Sequence, residues 1–352
     1  MGVKKSNLKC AGCGGDLFYS VDNVALCCSN CAKITPFDAK NGITKFDYDE
    51  NELSKTSNLK SEKKVTNCAN CGAQLEIKER EITKTCPYCG SNFVLEESEI
   101  IGLKPNNIVP FKFGKEKAIE YYKKNVKHKW FLPNKFKKEP NVDSVFGTYV
   151  SCFGFDSDTH SKYNGALAVE QSSHVNGERV TRTVTKYING TKDLDFQNFI
   201  VESSSLTSQS AIDEIKPFII EDETCYAYND NFLRGYSVES YDNDINSCKK
   251  ISEDLMKVKI KNNILSSYHY SYVQYFNLTT TFSNNKYSYI LLPVYFISFN
   301  YKNKDYRTYL NGQTGKIGND LPKSKVKIGF AVLLGILFVV GIILLAMFLP
   351  GE

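Results

Sequence analysis

The residues with the clearest chemistry are cysteines at a repeated spacing near the start of the chain. Cys10 and Cys13 form one Cys-x2-Cys pair, and Cys28 and Cys31 form another after 14 intervening residues. An offset of 58 residues maps these positions onto four further cysteines, which are Cys68, Cys71, Cys86 and Cys89. Four matches at one offset indicate two copies of one small module.

Two Cys-x2-Cys pairs at this distance are typical of a four-cysteine zinc site. Modules this short bury too little apolar surface to fold alone, so metal binding would supply folding free energy on the order of 10 kcal/mol. Four thiolates leave no open coordination position, which predicts two structural zinc ions rather than catalytic ones. A disulfide framework would need an oxidising compartment, and the first residues, MGVKKSNLKC, lack the apolar run of a secretory signal.

Two details distinguish the copies. The offset of 58 maps Cys27 onto Thr85, so Cys27 is either a bystander or a substitute ligand for Cys28. A glycine follows the first pair of each module at Gly14 and Gly72, where the turn often needs a positive φ that glycine adopts cheaply. Ala32 follows the second pair of the first module, which predicts a strained turn there.

The other end of the chain is apolar. Residues 328–349, IGFAVLLGILFVVGIILLAMFL, contain no charge and are long enough to cross a hydrocarbon core of about 30 Å as a helix. Lys323, Lys325 and Lys327 precede this run, and Glu352 alone carries a side-chain charge after it. The positive-inside rule then predicts a single-pass, tail-anchored protein of the cell membrane, with its N-terminal bulk in the cytoplasm.

Charge is distributed unevenly between these ends. Residues 1–100 hold 13 basic and 14 acidic side chains, which disfavours nucleic acid as a partner of the modules. Residues 101–140 hold 11 lysines and 3 glutamates, and Ile119, Tyr122, Val126 and Trp130 recur there at helical spacing. This predicts an amphipathic helix near 115–130. Its lysines are either a solvated face or a patch for anionic lipid headgroups, with nucleic acid a third alternative. The lysines assigned to a lipid-facing patch are Lys115, Lys117, Lys123, Lys124, Lys127 and Lys129.

Between the ends, β-branched and aromatic segments bounded by Asn, Gly and Asp predict a mainly antiparallel sheet. A helix of about 20 residues is expected within 238–262, where Ile245, Ile251, Leu255 and Val258 share a face. The overall prediction is an α+β protein with two zinc ribbons and one transmembrane helix. Its expected order is zinc ribbon 1 (8–38), a flexible linker (39–65), zinc ribbon 2 (66–98), an α+β domain (104–322) and the transmembrane helix (328–349).

No segment of the sequence has the residue pattern of a known active site. The stretch FDSDT, residues 155–159, differs from the phosphatase-type Asp-x-Asp-x-Thr motif because its threonine comes one position early, and it predicts a strand-ending loop. The stretch NGQTGK, residues 311–316, has two residues between its glycines where a phosphate loop has four, and it predicts a hairpin turn. The four histidines are scattered along the chain. The sequence predicts a protein that is not an enzyme.

Several stretches together resemble a bacterial family of TFIIB-type zinc-ribbon membrane proteins, which is loosely likened to the primosomal helicase protein N′. They are the doubled cysteine module, NNIVPFKF, FLPNKFKKEPNVDSVFGTYV, YILLPVYFISFNYKNKDY and LNGQTGKIGNDLPKSK before a terminal apolar run. The resemblance covers essentially the whole chain. It implies zinc at the eight repeat cysteines and attachment to the cytoplasmic membrane. It also implies partners among band-7-type scaffold proteins or phage-shock-type membrane-remodelling proteins.

The function predicted from these observations is a non-enzymatic, membrane-anchored adaptor. Its zinc modules would act as rigid knobs on a flexible tether that dock cytoplasmic partner proteins at the bilayer, in envelope-stress or membrane-remodelling assemblies. The alternative is a membrane-tethered nucleic-acid-binding or transcription-related protein, which predicts salt-sensitive binding. A third hypothesis, an enzyme with an unfamiliar site in the sheet domain, predicts a deep pocket with clustered perturbed ionisable groups.

Overall fold

The computed structural model describes residues 9–57, 64–68, 72–77, 82–85, 92–95, 102–140, 142–175, 178–204, 208–239 and 241–348. Two compact units are present. Unit 1 consists of Met1–Pro110, Tyr149–Gln209 and Ile219–Leu292, and unit 2 consists of Phe111–Thr148, Ser210–Phe218 and Pro293–Glu352.

Helices and sheet are both present, as the predicted α+β class requires. The strands are β1 (Leu17–Ser20), β2 (Ala25–Cys28), β3 (Ile34–Thr35), β4 (Phe46–Asp47), β5 (Lys64–Asn67), β6 (Gln74–Ile77), β7 (Thr83–Thr85), β8 (Asn92–Val94), β9 (Asn107–Ile108), β10 (Ser144–Val175), β11 (Glu178–Glu202), β12 (Tyr226–Ala227), β13 (Ser237–Glu239), β14 (Tyr272–Tyr301) and β15 (Lys304–Asn311). The helices are α1 (Glu50–Ser57), α2 (Lys115–His128), α3 (Asn134–Lys138), α4 (Gln209–Ile215), α5 (Ile245–Leu265) and α6 (Lys325–Phe348), with a 3-10 helix at Asp230–Leu233.

The main sheet of unit 1 has the strand order β11-β10-β14-β9-β12, with β13 beside β10 and β4 beside β14. The β10–β11, β4–β14 and β9–β12 pairs are antiparallel, whereas β9 and β14 run parallel. Aromatic side chains build the core on this sheet. Phe153 contacts Tyr241 and Tyr289, and Phe153 and Tyr289 have no exposed surface.

The strand β10 continues where the sequence predicted a loop. The stretch FDSDT lies inside this strand, with an irregularity in the pairing between Phe155 and Ser157. Small hydroxyl side chains alternate with exposed residues here and turn inward. Ser157 donates to the Asn285 side chain, Thr159 to the Leu194 carbonyl, and Ser161 bonds the Thr280 hydroxyl. Period-two burial of hydroxyls satisfied by neighbouring strands is strand geometry, so the loop prediction was wrong.

The helix expected within 238–262 is α5, and it begins with Asp244 accepting from the backbone N–H groups of Asn246 and Ser247. Its buried face differs from the predicted one. Ile251 and Val258 are 40% and 54% exposed. The buried side chains are Ile245, Cys248, Lys249, Ser252, Met256, Ile260, Ile264 and Leu265. The buried face includes the polar residues Lys249 and Ser252, so counting apolar positions alone did not identify it.

The described part of the predicted linker, 39–57, is ordered in unit 1. Its strand β4 pairs with β14, and its Lys45 ammonium lies 2.6 Å from the Asp156 carboxylate. Its helix α1 contacts α5, and just before α1 the Tyr48 hydroxyl donates to the Asn246 side chain of α5. The polar composition of this segment therefore reflects specific hydrogen bonds with other segments of unit 1. Residues 58–63 lie outside the described part of the chain.

The first cysteine module belongs to unit 1 and packs on the 3-10 helix region of the same unit. The Tyr19 ring lies 5.1 Å from the Phe232 ring and 6.5 Å from the Tyr236 ring, measured between centroids. The Tyr19 N–H donates to the Arg234 carbonyl at 3.0 Å. Tyr19 is 4% exposed, and burial raises its pKa above its ordinary value. This module is fixed by aromatic packing, which differs from the expected tethered knob.

Unit 2 contains the predicted basic helix and the apolar helix. Tyr122 and Val126 of α2 are buried as predicted, but α2 ends at His128 and Trp130 beyond it is 49% exposed. The strands β14 and β15 form a hairpin, and the segment after it makes the predicted turn, in which Asn311 accepts from the Gln313 and Thr314 N–H groups. The helix α6 is long and apolar enough to cross a membrane.

Candidate metal centre

Two turns with the same hydrogen-bond pattern carry the cysteines of the first module. The Cys10 N–H donates to the Gly15 carbonyl at 2.9 Å, and the Cys10 carbonyl accepts from the Gly14 N–H at 2.8 Å. The Cys28 turn matches it, with the Ala32 N–H donating to the Cys28 carbonyl at 3.1 Å. Because β1 and β2 pair antiparallel between the turns, both turns lie at the same end of the hairpin.

The four sulfur atoms converge on one point. The Sγ atoms of Cys10 and Cys31 lie 3.5 Å apart, those of Cys13 and Cys28 lie 3.4 Å apart, and all four lie within 4.8 Å of one another. Sulfurs about 2.3 Å from a central ion form a tetrahedron with edges of about 3.8 Å. The four cysteines are free thiols, since a disulfide would bring two sulfurs to about 2.0 Å. This group could hold a metal ion, and its four-sulfur donor set is consistent with zinc.

The backbone prepares two of these thiols as ligands. The Gly12 N–H lies 3.4 Å from the Cys10 Sγ and, with the Cys13 N–H, lowers the pKa of Cys10. The Cys31 and Asn30 N–H groups lower the pKa of Cys28 to about 6. A thiolate is the form that binds metal, so donors aimed at sulfur favour the ligating state.

The close approach of four thiols makes ionisation of Cys31 unfavourable. The Lys33 N–H favours its thiolate, but the Cys13, Cys10 and Cys28 side chains outweigh this donor and raise the pKa of Cys31 to about 12. Crowded thiols cannot all ionise together unless a cation compensates their charge. The arrangement is therefore suited to a bound cation.

Close packing at the turns explains which residues the site tolerates. A Cβ atom added to Gly15 would lie 2.9 Å from the Cys28 Sγ, so this position requires glycine. Gly14 has a φ of +71° and Ala32 a φ of +55°, so the strained turn predicted at Ala32 is present. The Cys27 sulfur is no member of the four-cysteine group and lies 3.7 Å from the Ala32 carbonyl, so Cys28 is the residue that joins the site.

The second module is described in part. Its Cys68 is buried, and the Cys68 carbonyl accepts from the Gly72 N–H at 2.7 Å, as Cys10 does from Gly14. The strand pairs Asn67↔Gln74 and Thr85↔Asn92 are those of the first module moved by 58 residues, Lys9↔Asp16 and Cys27↔Ile34. Cys71, Cys86 and Cys89 lie outside the described residues. One four-cysteine group is therefore observed in the described part of the chain.

The structure divides the six lysines assigned to a lipid-facing patch. Lys115, Lys117, Lys123, Lys124 and Lys127 are exposed on α2. Lys129 is half-buried, and its ammonium donates to the Gly318 carbonyl and the Asn319 side chain at 3.1 and 2.8 Å. Burial lowers the pKa of Lys129. Lys129 is therefore a structural cation held by two hydrogen bonds beyond the end of α2, whereas the other five lysines are exposed.

Sequence patterns also missed buried charged residues in unit 1. Glu202 is 6% exposed, and burial raises its pKa to about 8, with Glu239 and Asp242 adding to the effect. The Glu202 carboxylate accepts from the Ser204 N–H at 2.6 Å. Lys249 of α5 is 3% exposed, and its ammonium donates to the Ser157 and Asn285 side chains. No spacing rule marks these residues, because chain segments far apart in sequence bring them together.

The described residues thus define a mixed α+β protein with a four-cysteine group that could hold a metal ion and one helix able to span a membrane by length and composition. No protein-family model and no solved structure matches the chain. It is similar to YdjG of Bacillus subtilis (strain 168), named as an uncharacterized protein, with 25% identity over 237 residues. The match covers 64% of this chain, which spans just under two thirds (66%) of that relative's length.

Proposed function

We propose that this protein is a non-enzymatic adaptor, anchored in the cell membrane by α6, which docks cytoplasmic proteins through its cysteine modules. The observation that carries the proposal is the convergence of four sulfurs within 4.8 Å on a module packed against the rest of unit 1. A closed four-cysteine site offers no open position for substrate, so zinc there would stabilise a surface.

The second module supports two zinc ions per chain. Its described backbone repeats the first module's turn at Cys68 and its strand register at the offset of 58 residues. Zinc would bind to Cys10, Cys13, Cys28 and Cys31 in one module and to Cys68, Cys71, Cys86 and Cys89 in the other. When bound, the ion supplies folding free energy to modules whose own cores are small.

The packed position of the first module favours a fixed docking surface. Phe18 on β1 and Ile34 on β3 flank Cys27 on β2, and Phe18 and Ile34 are 39% and 49% exposed. An apolar row on a rigid three-stranded sheet suits a protein partner, because little conformational entropy is lost when it is covered. By resemblance, band-7-type scaffold or phage-shock-type proteins are the partners we propose.

Metal binding is tested first by the metal content of the full-length protein purified in detergent. We expect two zinc ions per chain for the wild type and for Cys27→Ser, and one for Cys28→Ser. The two variants lose the same atom one residue apart, so loss from Cys28→Ser alone supports the assigned ligands. Equal loss in both variants contradicts it.

Docking is then tested by cross-linking in intact cells, gentle detergent extraction and mass spectrometry. We expect scaffold or membrane-remodelling proteins with the wild type, and their loss with Cys28→Ser and with a form that ends at Lys327. Nuclease-sensitive nucleic acid or polymerase subunits in place of such proteins would instead support the membrane-tethered nucleic-acid-binding alternative.

A further inference from the structure

Two adjacent aromatic side chains of unit 2 stand half-exposed on a short connection. Trp130 and Phe131 lie between α2 and α3, each with 49% of its surface exposed, and their ring centroids are 4.9 Å apart in an edge-to-face arrangement. Because the two rings touch, they form one small apolar patch on the surface of unit 2. We call Trp130 and Phe131 the aromatic pair.

The aromatic pair is attached to the start of α6 by backbone hydrogen bonds. The Phe131 carbonyl accepts from the Ser324 N–H at 2.8 Å. Ser324 also caps α6, since its carbonyl accepts from the Ile328 N–H at 3.0 Å and its hydroxyl from the Lys327 N–H at 3.4 Å. The pair is therefore at the height of the first turn of α6.

Lys327 strengthens this attachment. Its ammonium donates to the Trp130 carbonyl at 3.0 Å, to the Leu132 carbonyl at 2.9 Å and to the Asn134 side chain at 2.6 Å. It also lies 5.8 Å from the centroid of the Trp130 ring. An ammonium has three N–H donors, and all three point to protein acceptors. Lys327, one of the lysines that support membrane orientation by the positive-inside rule, thus also holds the aromatic pair in place.

The apolar run begins at Ile328, immediately after Lys327. Side chains at this height would lie at the membrane–water interface, which Trp and other amphipathic aromatics prefer. The helix α3 starts at Asn134, a Lys327 partner, and carries the exposed Lys135 and Lys138 within its five residues. Positive charge beside an apolar pair matches a surface of anionic phospholipid headgroups.

We propose that the aromatic pair inserts into the interfacial layer of the bilayer on the side where α6 begins, beside anionic headgroups. This inference rests on the proposed function, because it requires α6 to span the membrane. The membrane would then hold unit 2 at two points, α6 and the aromatic pair. Lys327 would act as the link that fixes the distance between them.

The test uses the fact that Trp130 is the only tryptophan of the chain. The full-length protein is reconstituted in vesicles of phosphatidylcholine and phosphatidylglycerol, and its fluorescence is quenched by lipids brominated near the headgroup, by lipids brominated deep in the chains, or by aqueous iodide. We expect shallow bromine to remove most of the emission, deep bromine to remove less, and iodide to remove little.

A second reporter separates this inference from the membrane span. In a Trp130→Phe/Phe330→Trp variant the tryptophan sits on α6, at a position that is 52% exposed in the described protein. Bromolipid quenching of this reporter, together with iodide quenching of Trp130 in the wild type, would overturn the inference and leave the span intact. Bromolipid quenching of neither reporter would overturn both.

The role of Lys327 is tested with a matched pair of variants. Lys327→Met and Lys325→Met remove the same charge at the same helix end, but Lys325 is exposed. We expect Lys327→Met to make Trp130 accessible to iodide, whereas Lys325→Met leaves its quenching by shallow bromine unchanged. Identical behaviour of the two variants would show that charge alone, and no specific link, positions the aromatic pair.

Discussion

The turn at Ala32 gives a prediction whose sign and size follow from one dihedral angle. Ala32 has a φ of +55°, whereas glycines occupy the matching positions Gly14 and Gly72 with φ of +71° and +76°. A left-handed conformation costs a residue with a Cβ atom roughly 1–2 kcal/mol. Replacing Ala32 with glycine should relieve this strain, and it should tighten metal binding because metal binding and folding of the module are coupled.

The expected size is the difference between two effects. The relief of about 1–2 kcal/mol is offset by about 0.5–1 kcal/mol, because glycine gives the unfolded module more conformational freedom to lose. Ala32→Gly should therefore tighten zinc binding by about 0.5–1 kcal/mol, or roughly two- to fivefold. Gly14→Ala should act in the opposite direction by about 1 kcal/mol, since a Cβ atom there meets nothing within 4 Å and strain is its main cost.

The assay is competition against a chromophoric zinc chelator at constant pH, with the full-length protein in detergent micelles. A Cys86→Ser/Cys89→Ser background leaves only the first module to titrate. Ala32→Gly and Gly14→Ala should bracket this background in zinc affinity. The double variant should lie near the sum of the two effects if the turns act independently. Weaker binding by Ala32→Gly, or an unchanged affinity in Gly14→Ala, would refute the strain argument.

Three further predictions concern the metal site and the buried charges. Gly15→Ala should weaken zinc binding, because its Cβ atom would lie 2.9 Å from the Cys28 sulfur. Glu202 has a pKa of about 8 in the folded protein against an ordinary 4.5, so between these two pH values the folded protein keeps a proton that the unfolded chain releases. The free energy of unfolding should therefore fall by about 1.4 kcal/mol per pH unit as pH rises through this interval. Glu202→Gln should flatten that slope in urea unfolding. Lys249→Ala should destabilise by about 3 kcal/mol and Lys249→Met by less, because methionine still fills the space beside the Phe282 ring.

Each of these predictions has its own control. Gly42→Ala also introduces backbone strain, because Gly42 has a φ of +124°, but its Cβ atom would meet nothing within 4 Å, the sulfurs included, so zinc affinity should be unchanged. Glu170 is exposed, so Glu170→Gln should keep the wild-type pH slope, and an unchanged slope in Glu202→Gln would contradict the buried-carboxyl argument. If Lys249→Met is as unstable as Lys249→Ala, the ammonium hydrogen bonds outweigh the packing of the side chain.

Local spacing carried most of what the sequence revealed about the metal centre. A Cys-x2-Cys pair closes a tight turn through backbone hydrogen bonds within six residues, so the members of the first four-cysteine group and the strain at Ala32 could be predicted without any distant contact. The apolar run of α6 was equally readable, because crossing a membrane depends on length and composition.

Features that depend on distant partners were decided by tertiary structure. The polar stretch FDSDT predicts a loop, but its hydroxyls donate hydrogen bonds to neighbouring strands and it forms part of β10. The polar segment 39–65 predicts a flexible linker, but its Lys45 pairs with Asp156. Lys249 is polar in sequence but buried in the fold. In each case the free energy comes from hydrogen bonds and burial between residues more than 30 positions apart, which hydrophobic periodicity does not record.

The same division holds at the apolar end of the chain. The sequence by itself determined that residues 328–349 are apolar and that lysines precede this run. The sequence predicted Trp130 on the buried face of α2. In the structure Trp130 lies beyond the end of this helix, and its backbone carbonyl accepts a hydrogen bond from Lys327, 197 positions later. Composition determines where a chain can enter a bilayer, whereas long-range hydrogen bonds decide which other side chains stand at the same height.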